Sequence, residues 1–348
     1  MLTGHIHGEL PVESIEYTTA RAAPGSCSLT LPLDPGVSRL SHETFRAGAA
    51  TAVYIERDAR FVWSGPLWDM DVDYAAGTVT AHGEGWMSYY RLRGVHTTKR
   101  YEQWDQADIA RDLLRHAGTY GYGSLLGQIR YGTETTGVRR DRTYEAAEHK
   151  SIGEAVEQLA AVRDGFHFLF EPGWIDGDRP GLGVWFRIRY PVTGRARDLV
   201  LSDGVNCDVL GARVGGKDVA TFALVTGAGD GPDQMVATSQ RWSTVHPRLE
   251  LIEAASDVTE PATLQAKADA IVRTRSAPIV LPDIELYPDA LLGLPILSAG
   301  DVVHVSGGRG LVPIDGRWMV TEVRVSVDPT GTEKITATVA SLEAFTDA

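Results

Sequence analysis

The stretch Phe222–Gln234, FALVTGAGDGPDQ, runs from a β-like segment straight into a glycine cluster. Its reading decides whether this is a chain to search for nucleotide chemistry. A dinucleotide fingerprint needs Gly-x-Gly-x-x-Gly opening a helix, so that backbone N–H groups and the helix dipole meet a pyrophosphate. Gly227 and Gly229 have the first spacing, but Gly231 comes one residue early and Pro232 follows at once. The next residues, QMVATSQ, resume a β-like pattern, and no lysine stands where a P-loop requires one. The segment reads as a loop between two strands.

The rest of the chain has the composition of a β-rich globular protein. Of 348 residues, 43% are hydrophobic and 23% charged, and the 37 glycines and 17 prolines suit many short strands joined by turns. The formal net charge of −13, with no basic block longer than a few residues, argues against a surface built to hold nucleic acid by neutralising phosphates. It leaves room for a protein that DNA passes without sticking. Cys27 and Cys207 are too few and too far apart for a disulfide framework. The start, MLTGHIHGEL, lacks the basic residue and apolar run of a signal peptide. The longest apolar candidate, ALLGLPILSAG, is broken by proline and glycine, well short of the ~20 residues that span a bilayer. The expectation is a soluble protein made in the cytoplasm, with no membrane segment.

Patterning divides the chain into three parts. Residues 1–95 read as strands and turns, with hairpins at Asp58-Ala59 and at Ala75-Ala76-Gly77. Between them Asp69, Asp71 and Asp73 alternate with Met70, Val72 and Tyr74, the pattern of a half-buried strand. Residues 96–198 read as an α+β insertion. DQADIARDLLRHAG is a helix capped by Asp105, with Ile109, Leu113 and Ala117 on one stripe; SIGEAVEQLAAVRDG opens on the capping box Ser151-x-x-Glu154. FHFLFEP and GVWFRIRYP flank a turn at Asp176-Gly177-Asp178. Residues 199–348 return to strands around one helix at about 259–275, opened by Pro261 and buried along Leu264, Ala268, Ile271 and Val272. Linear segments need not be domains, since one barrel can draw strands from separated stretches.

The search for chemistry returns no strong motif. Asp69-x-Asp71-x-Asp73 lacks the glycine and glutamate of a calcium loop and reads as a solvated strand face. His5-x-His7-x-Glu9 has a metal-ligand residue set at an extreme N-terminus, where order is often poor. Gly-x-Ser-x-Gly, His-Glu-x-x-His and Ser-x-x-Lys are all absent. Trp63, Trp68 and Trp86 are candidates for a sugar-stacking platform, although tryptophans on amphipathic strands more often belong to a core. Neither an adhesin module nor a cell-wall glycoside hydrolase with two opposed acids is ruled out by composition. The sequence points to no cofactor and no metal.

Three segments carry a resemblance. The first, residues 48–95, holds the WSGP turn, the aspartate-bearing strand and GEGW before YYRLR. The second, GKDVATFALVTGAGDGPDQMVATSQ, leads a KDVA strand into the glycine loop. The third is TLQAKADAIVRTRSAPIVLPDIEL with LSAGDVVHV and the final GTEKITATVASL. In this order they resemble the minor tail proteins of long-tailed actinobacteriophages, the tail-hub family similar to the central hub of contractile-phage baseplates. The resemblance implies a homotrimeric ring with two β-barrel tube domains and helical parts outside, continuing and closing the tail tube at the virion's tail tip. It implies structural rather than enzymatic work. The implied partners are the distal tail protein, the tape-measure protein and fibre proteins, with DNA only in transit. On that reading Asp69, Asp71 and Asp73 are candidates for the lumen wall. Gly227, Gly229, Asp230 and Gly231 are candidates for a loop facing the lumen or a neighbouring subunit.

Overall fold

The computed structural model describes residues 6–21, 23–34, 45–119, 129–162, 164–175, 181–190, 195–229, 231–256, 258, 260–276, 278–288, 297–308, 312 and 314–342. The described residues are mainly β, 50% strand and 17% helix. It forms two compact units, and neither is a single run of sequence. The first comprises residues 1–194, 285–301 and 320–337; the second comprises 195–284, 302–319 and 338–348.

The chain opens with β1 (Ser14–Ala20), β2 (Ser26–Pro32), β3 (Ala52–Arg57), β4 (Arg60–Asp73) and β5 (Thr78–Glu84). The β3–β4 hairpin turns on Asp58 and Ala59, both left-handed at φ +50° and +58°, as a two-residue turn matching strand twist requires. A short helix, α1 (Met87–Arg91), ends this run. Next come β6 (Lys99–Asp105), α2 (Gln106–His116), β7 (Ile129–Tyr131), β8 (Arg139–Tyr144), α3 (Ile152–Ala161), β9 (His167–Ile175) and β10 (Gly181–Arg189). Asp105 and Ser151 cap α2 and α3 through the N–H groups of Ala107 and Glu154. β9 and β10 run antiparallel over nine residue pairs; the expected turn at Asp176-Gly177-Asp178 lies outside the described residues.

The later strands are β11 (Arg195–Ser202), β12 (Cys207–Gly215), β13 (Phe222–Thr226), β14 (Val236–Gln240) and β15 (Glu250–Ala254). After α4 (Pro261–Arg275) follow β16 (Ile279–Leu286), β17 (Asp301–Gly307), β18 (Ile314–Val327) and β19 (Glu333–Ser341). The fourteen-residue β18 serves two neighbours: Ile314–Met319 pair with β17, and Glu322–Val327 pair with β1.

The main sheet has the order β12-β16-β19-β18-β1-β2-β5-β4-β3, with β17 joining β18 and β11 joining β17. This corrects the expectation of two β-barrels: the sheets are not closed. At β3 the edge is met by a side chain instead of a ladder, since Arg57 Nη2 donates to Glu333 Oε2 of β19 at 2.7 Å. An ion pair spans such a gap; backbone pairing needs strands about 4.8 Å apart.

Each unit has a core of its own. In the first, α2 and α3 pack Ile109, Leu113, Leu114, Val156 and Leu159 against Phe186 of β10 and Trp86 beside α1. In the second, α4 lays Leu264, Ala268, Ile271 and Val272 on Ala223 and Val225 of β13.

His167 on β9 carries a pH dependence. Burial, then the charges of Arg21 and Arg189, push its imidazole down to about 4 against an opposing backbone hydrogen bond at Ala299. The folded chain therefore refuses a proton that the unfolded chain takes at about 6.5. Stability is full above that value and falls as pH drops towards 4, by up to about 3 kcal/mol. His167→Gln is expected to flatten this slope in urea midpoints measured across that range; an unchanged slope would place the acid sensitivity elsewhere.

Candidate functional site

The three candidate acids lie on the distal half of β4. Trp63–Leu67 form its buried half; from Asp69 onward the strand leaves the core, and Asp69, Asp71 and Asp73 are all exposed. A register shift between Leu67 and Asp69 marks the transition. Val72 and Tyr74, expected to be half-buried, are exposed as well, so both faces of the hairpin's end meet solvent. The alternation was legible, but among the described residues no element packs over Val72 and Tyr74.

The acids differ in what they do locally. Asp73 Oδ1 accepts the N–H groups of Ala75 and Ala76 at 2.8 and 2.9 Å, so it holds the hairpin turn. Asp71 Oδ2 lies 3.1 Å from His82 Nε2 on β5, whose direct cross-strand partner is Asp69. The second unit repeats this diagonal, with His304 Nε2 at 3.2 Å from Asp315 Oδ1 while Arg317 stands opposite His304. Sequence reading missed both pairs, because only the register reveals which histidine reaches which aspartate.

The glycine loop connects β13 to the antiparallel β14 through a single 3-10 turn, Gly231–Asp233, and opens no α-helix. Its backbone groups are already paired: Gly227 N–H donates to Met235 O and Met235 N–H to Ala228 O within the loop, and Ala228 N–H donates to Val258 O in the segment before α4. Gly229 has φ +105°, and a Cβ there would sit 2.7 Å from the Asp233 carbonyl oxygen. Gly231 is left-handed at φ +58° with open space around it, and Asp230 lies outside the described residues. The glycines serve a tight turn.

The tryptophans read as a platform are not one surface. Trp63 and Trp86 are buried, and Trp86 Nε1 donates to Ser64 Oγ at 2.8 Å. Trp68 Nε1 donates to Ser88 Oγ. Among the described residues no three histidine, cysteine, aspartate or glutamate side chains converge as metal ligands; His5 lies outside them. A shallow depression of about 220 Å³ between β1, β2, β4 and β5 holds Glu16, Asp69, His82 and Glu84. It is smaller than the ~300 Å³ at which small-molecule sites begin. The thiols of Cys27 and Cys207 are buried, which pushes them up to about 12 and about 11 and makes them poor nucleophiles.

No protein-family model and no curated protein matches the sequence. Solved structures do match the fold. A 43 kDa tail protein of prophage MuSo2 from Shewanella oneidensis is similar at TM-score 0.64 and 13% identity, over 96% of this chain and 95% of that one. This is the fold of phage tail proteins. A tail protein from Neisseria meningitidis matches at TM-score 0.61 and 11% identity, over 96% and 94% of the two chains. An Escherichia coli component of the type VI secretion system, described as structurally similar to T4 bacteriophage tail proteins gp27 and gp5, matches at TM-score 0.52 and 12% identity. That match covers 96% of this chain and 74% of the other. At such identities what is shared is the fold.

Proposed function

We propose that this chain is a structural virion protein, the hub at the tail tip of a long-tailed actinobacteriophage. Three copies form a ring that continues and closes the tail tube and anchors distal tail and receptor-binding components for DNA ejection. The observation that carries this reading is the fold likeness, along nearly the whole chain, to phage tail proteins and to a secretion component described as structurally similar to gp27 and gp5.

Two physical features support it. Among the described residues the sheet paths end in β12, β3 and β11, each laddered to one neighbouring strand, and a ring of subunits hides such edges. The net charge of −13 suits a conduit, because acidic walls repel phosphates and keep DNA from stalling. Asp69, Asp71 and Asp73 are assigned to the lumen, and the Gly227–Gly231 loop, with Asp230, to the lumen or a neighbouring subunit. Residues 1–95 and 199–348 are assigned to the tube and 96–198 to its outer decoration. The protein works without turnover, with the distal tail protein, tape-measure protein and fibres as partners, and is assembled in the host cytoplasm.

Light scattering of the purified chain followed by imaging tests the reading. The expected result is a mass of three copies and a particle with a central hole. A monomer that binds glycans or turns over peptidoglycan would replace it with the adhesin or hydrolase reading. A ring with the three carboxylates on its outer wall would remove the lumen assignment alone.

A further inference from the structure

We infer that β8 is a docking edge for an extended acidic segment of a partner protein, which adds a third strand to the β6–β8 ribbon and sets its carboxylates against Arg139, Arg140 and Arg142. The inference stands on the first unit alone and does not need the ring.

The ribbon is a two-stranded sheet, so among the described residues β8 has a strand neighbour on one side only. An open edge offers its backbone groups to any extended chain that fits. Between Tyr101 and Trp104 the register shifts, and Glu102 and Gln103 together stand against the single residue Asp141. Such a bulge re-aims the side chain next to it. Gln103 is left-handed at φ +55°, which is uncommon outside glycine. Asp141 fixes it there, its Oδ1 accepting the Gln103 N–H at 2.6 Å and the side-chain amide at 3.0 Å. Trp104 is turned outward, 45% exposed, edge-on to Tyr101 with ring centroids 5.3 Å apart and Arg140 directly opposite. Tryptophan and arginine on a fixed frame are the residues that anchor protein interfaces.

The acids of the ribbon do not neutralise its arginines. Asp141 is held by Gln103, and Asp105 by the N–H groups of Ala107, Thr136 and Gly137. At the far end Lys99 lies 3.0 Å from Asp112, and Arg100 faces Glu145. Arg139 and Arg142 make no ion pair among the described residues; each donates one N–H to a carbonyl oxygen, of Gln103 and of Asp141. Arg140 donates to the Gln106 amide oxygen at 3.4 Å. One acid without a printed cation, Glu102, stands against these three. By formal charge over Lys99–Asp105 and Arg139–Tyr144, bases outnumber acids five to three, in a chain of net charge −13.

That excess names the chemistry of the occupant. Side chains alternate along β8, so Arg140 and Arg142 lie on one face and Arg139 on the other. A strand laid along the edge meets guanidinium on both. The same arginines disfavour a second copy of β8, because like charges set opposite each other across a ladder are destabilising. An acidic strand instead adds charge-assisted bonds to the new backbone ladder.

Fluorescence anisotropy of the full chain with a labelled decapeptide of alternating glutamate and threonine tests this. Saturable binding that weakens with added salt is expected. Arg139→Glu combined with Arg142→Glu is expected to weaken it by at least about 10-fold, and Trp104→Ala by about 5-fold. Arg139→Lys combined with Arg142→Lys keeps the charge and is expected to keep most of the binding; with Trp104→Ala it carries the test where thermal unfolding shows the glutamate pair misfolded. A fully N-methylated peptide retains its carboxylates but cannot donate to a ladder, and is expected not to bind. Unchanged binding by that peptide would reduce the site to charge attraction and overturn strand docking. No binding into the millimolar range, or equal binding by a lysine–threonine counterpart, overturns the inference. Polyphosphate that displaces the peptide more strongly than polyglutamate would make the occupant a phosphate polymer. Wild-type self-association abolished by the glutamate pair would make it a second copy. Either result overturns the partner named here.

Discussion

Gly85→Ala is expected to lower the stability of the first unit by roughly 3 kcal/mol or more, the cost of forcing atoms into a packed site with a rigid neighbour. A Cβ on Gly85 would overlap the carbonyl of Pro24, which is backbone and has no rotamer to change. The Gly85 N–H donates to Gly25 O at 3.2 Å, so the two segments cannot separate without losing that bond. The crowding continues around it. A Cβ on Gly65 would overlap the Glu84 carbonyl and sit 2.7 Å from Trp63 Cη2, and one on Gly83 would lie 3.2 Å from the same atom. Gly77 supplies the control, since it is left-handed at φ +69° in the β4–β5 turn with nothing within 4 Å of a Cβ. Its alanine variant pays only the backbone strain, about 1 kcal/mol. Denaturant midpoints of the two variants measure the difference. If Gly85→Ala cost no more than Gly77→Ala, close approach of the segments would not be what these glycines provide.

The same packing explains why two short motifs were visible in the sequence. WSGP supplies Trp63, Ser64 and Gly65, and GEGW supplies Gly83, Gly85 and Trp86. In the fold each tryptophan lies against the other motif: Trp86 Nε1 donates to Ser64 Oγ, and Trp63 covers Gly83. A large ring and a missing Cβ must be placed together, so the pattern is dictated locally. Hairpin turns, caps and the stripes of α2 and α4 were legible for the same reason, since each is settled within a few residues.

What the sequence did not reveal is non-local. β13 pairs in parallel with β15 and β7 with β10, and neither turn signals nor alternation choose such partners. The interleaving of the units depends on β18, whose Val323 and Val325 are buried but whose pattern does not tell that its two halves serve different neighbours. The candidate acids show the same limit. Alternation placed Asp69, Asp71 and Asp73 on one face, while the exposure of Val72 and Tyr74 opposite depends on what packs there. Trp104 passed unnoticed because the bulge beside it breaks the alternation that would mark it.

Asp105→Ala is expected to destabilise the first unit by about 3 kcal/mol, the sum of a lost helix cap and of loop N–H groups left without an acceptor. One carboxylate does both jobs. Asp105 Oδ1 caps α2 through the Ala107 N–H at 2.8 Å and accepts the Thr136 hydroxyl at 2.9 Å. Oδ2 accepts the N–H groups of Thr136 and Gly137 at 3.0 and 2.7 Å, tying the segment before β8 to the start of the helix. α2 contributes Ile109, Leu113 and Leu114 to the core, so loosening its first turn reaches the packed interior. Burial alone would raise the Asp105 carboxyl, but the hydrogen bonds from Ala107, Gly137 and Thr136 outweigh it and hold the group below the usual carboxylate range. The folded chain thus keeps the charge at a pH where the unfolded chain takes a proton. This contribution is complete above the unfolded value of about 3.9 and is lost as pH falls through the folded value. Asp105→Asn keeps the shape without the charge. The gap in urea midpoint between it and the wild type is expected to be widest near neutral pH and to narrow towards about pH 2. A gap that stays constant over that range would mean that geometry alone, and not the carboxylate's charge, fastens the helix to the loop.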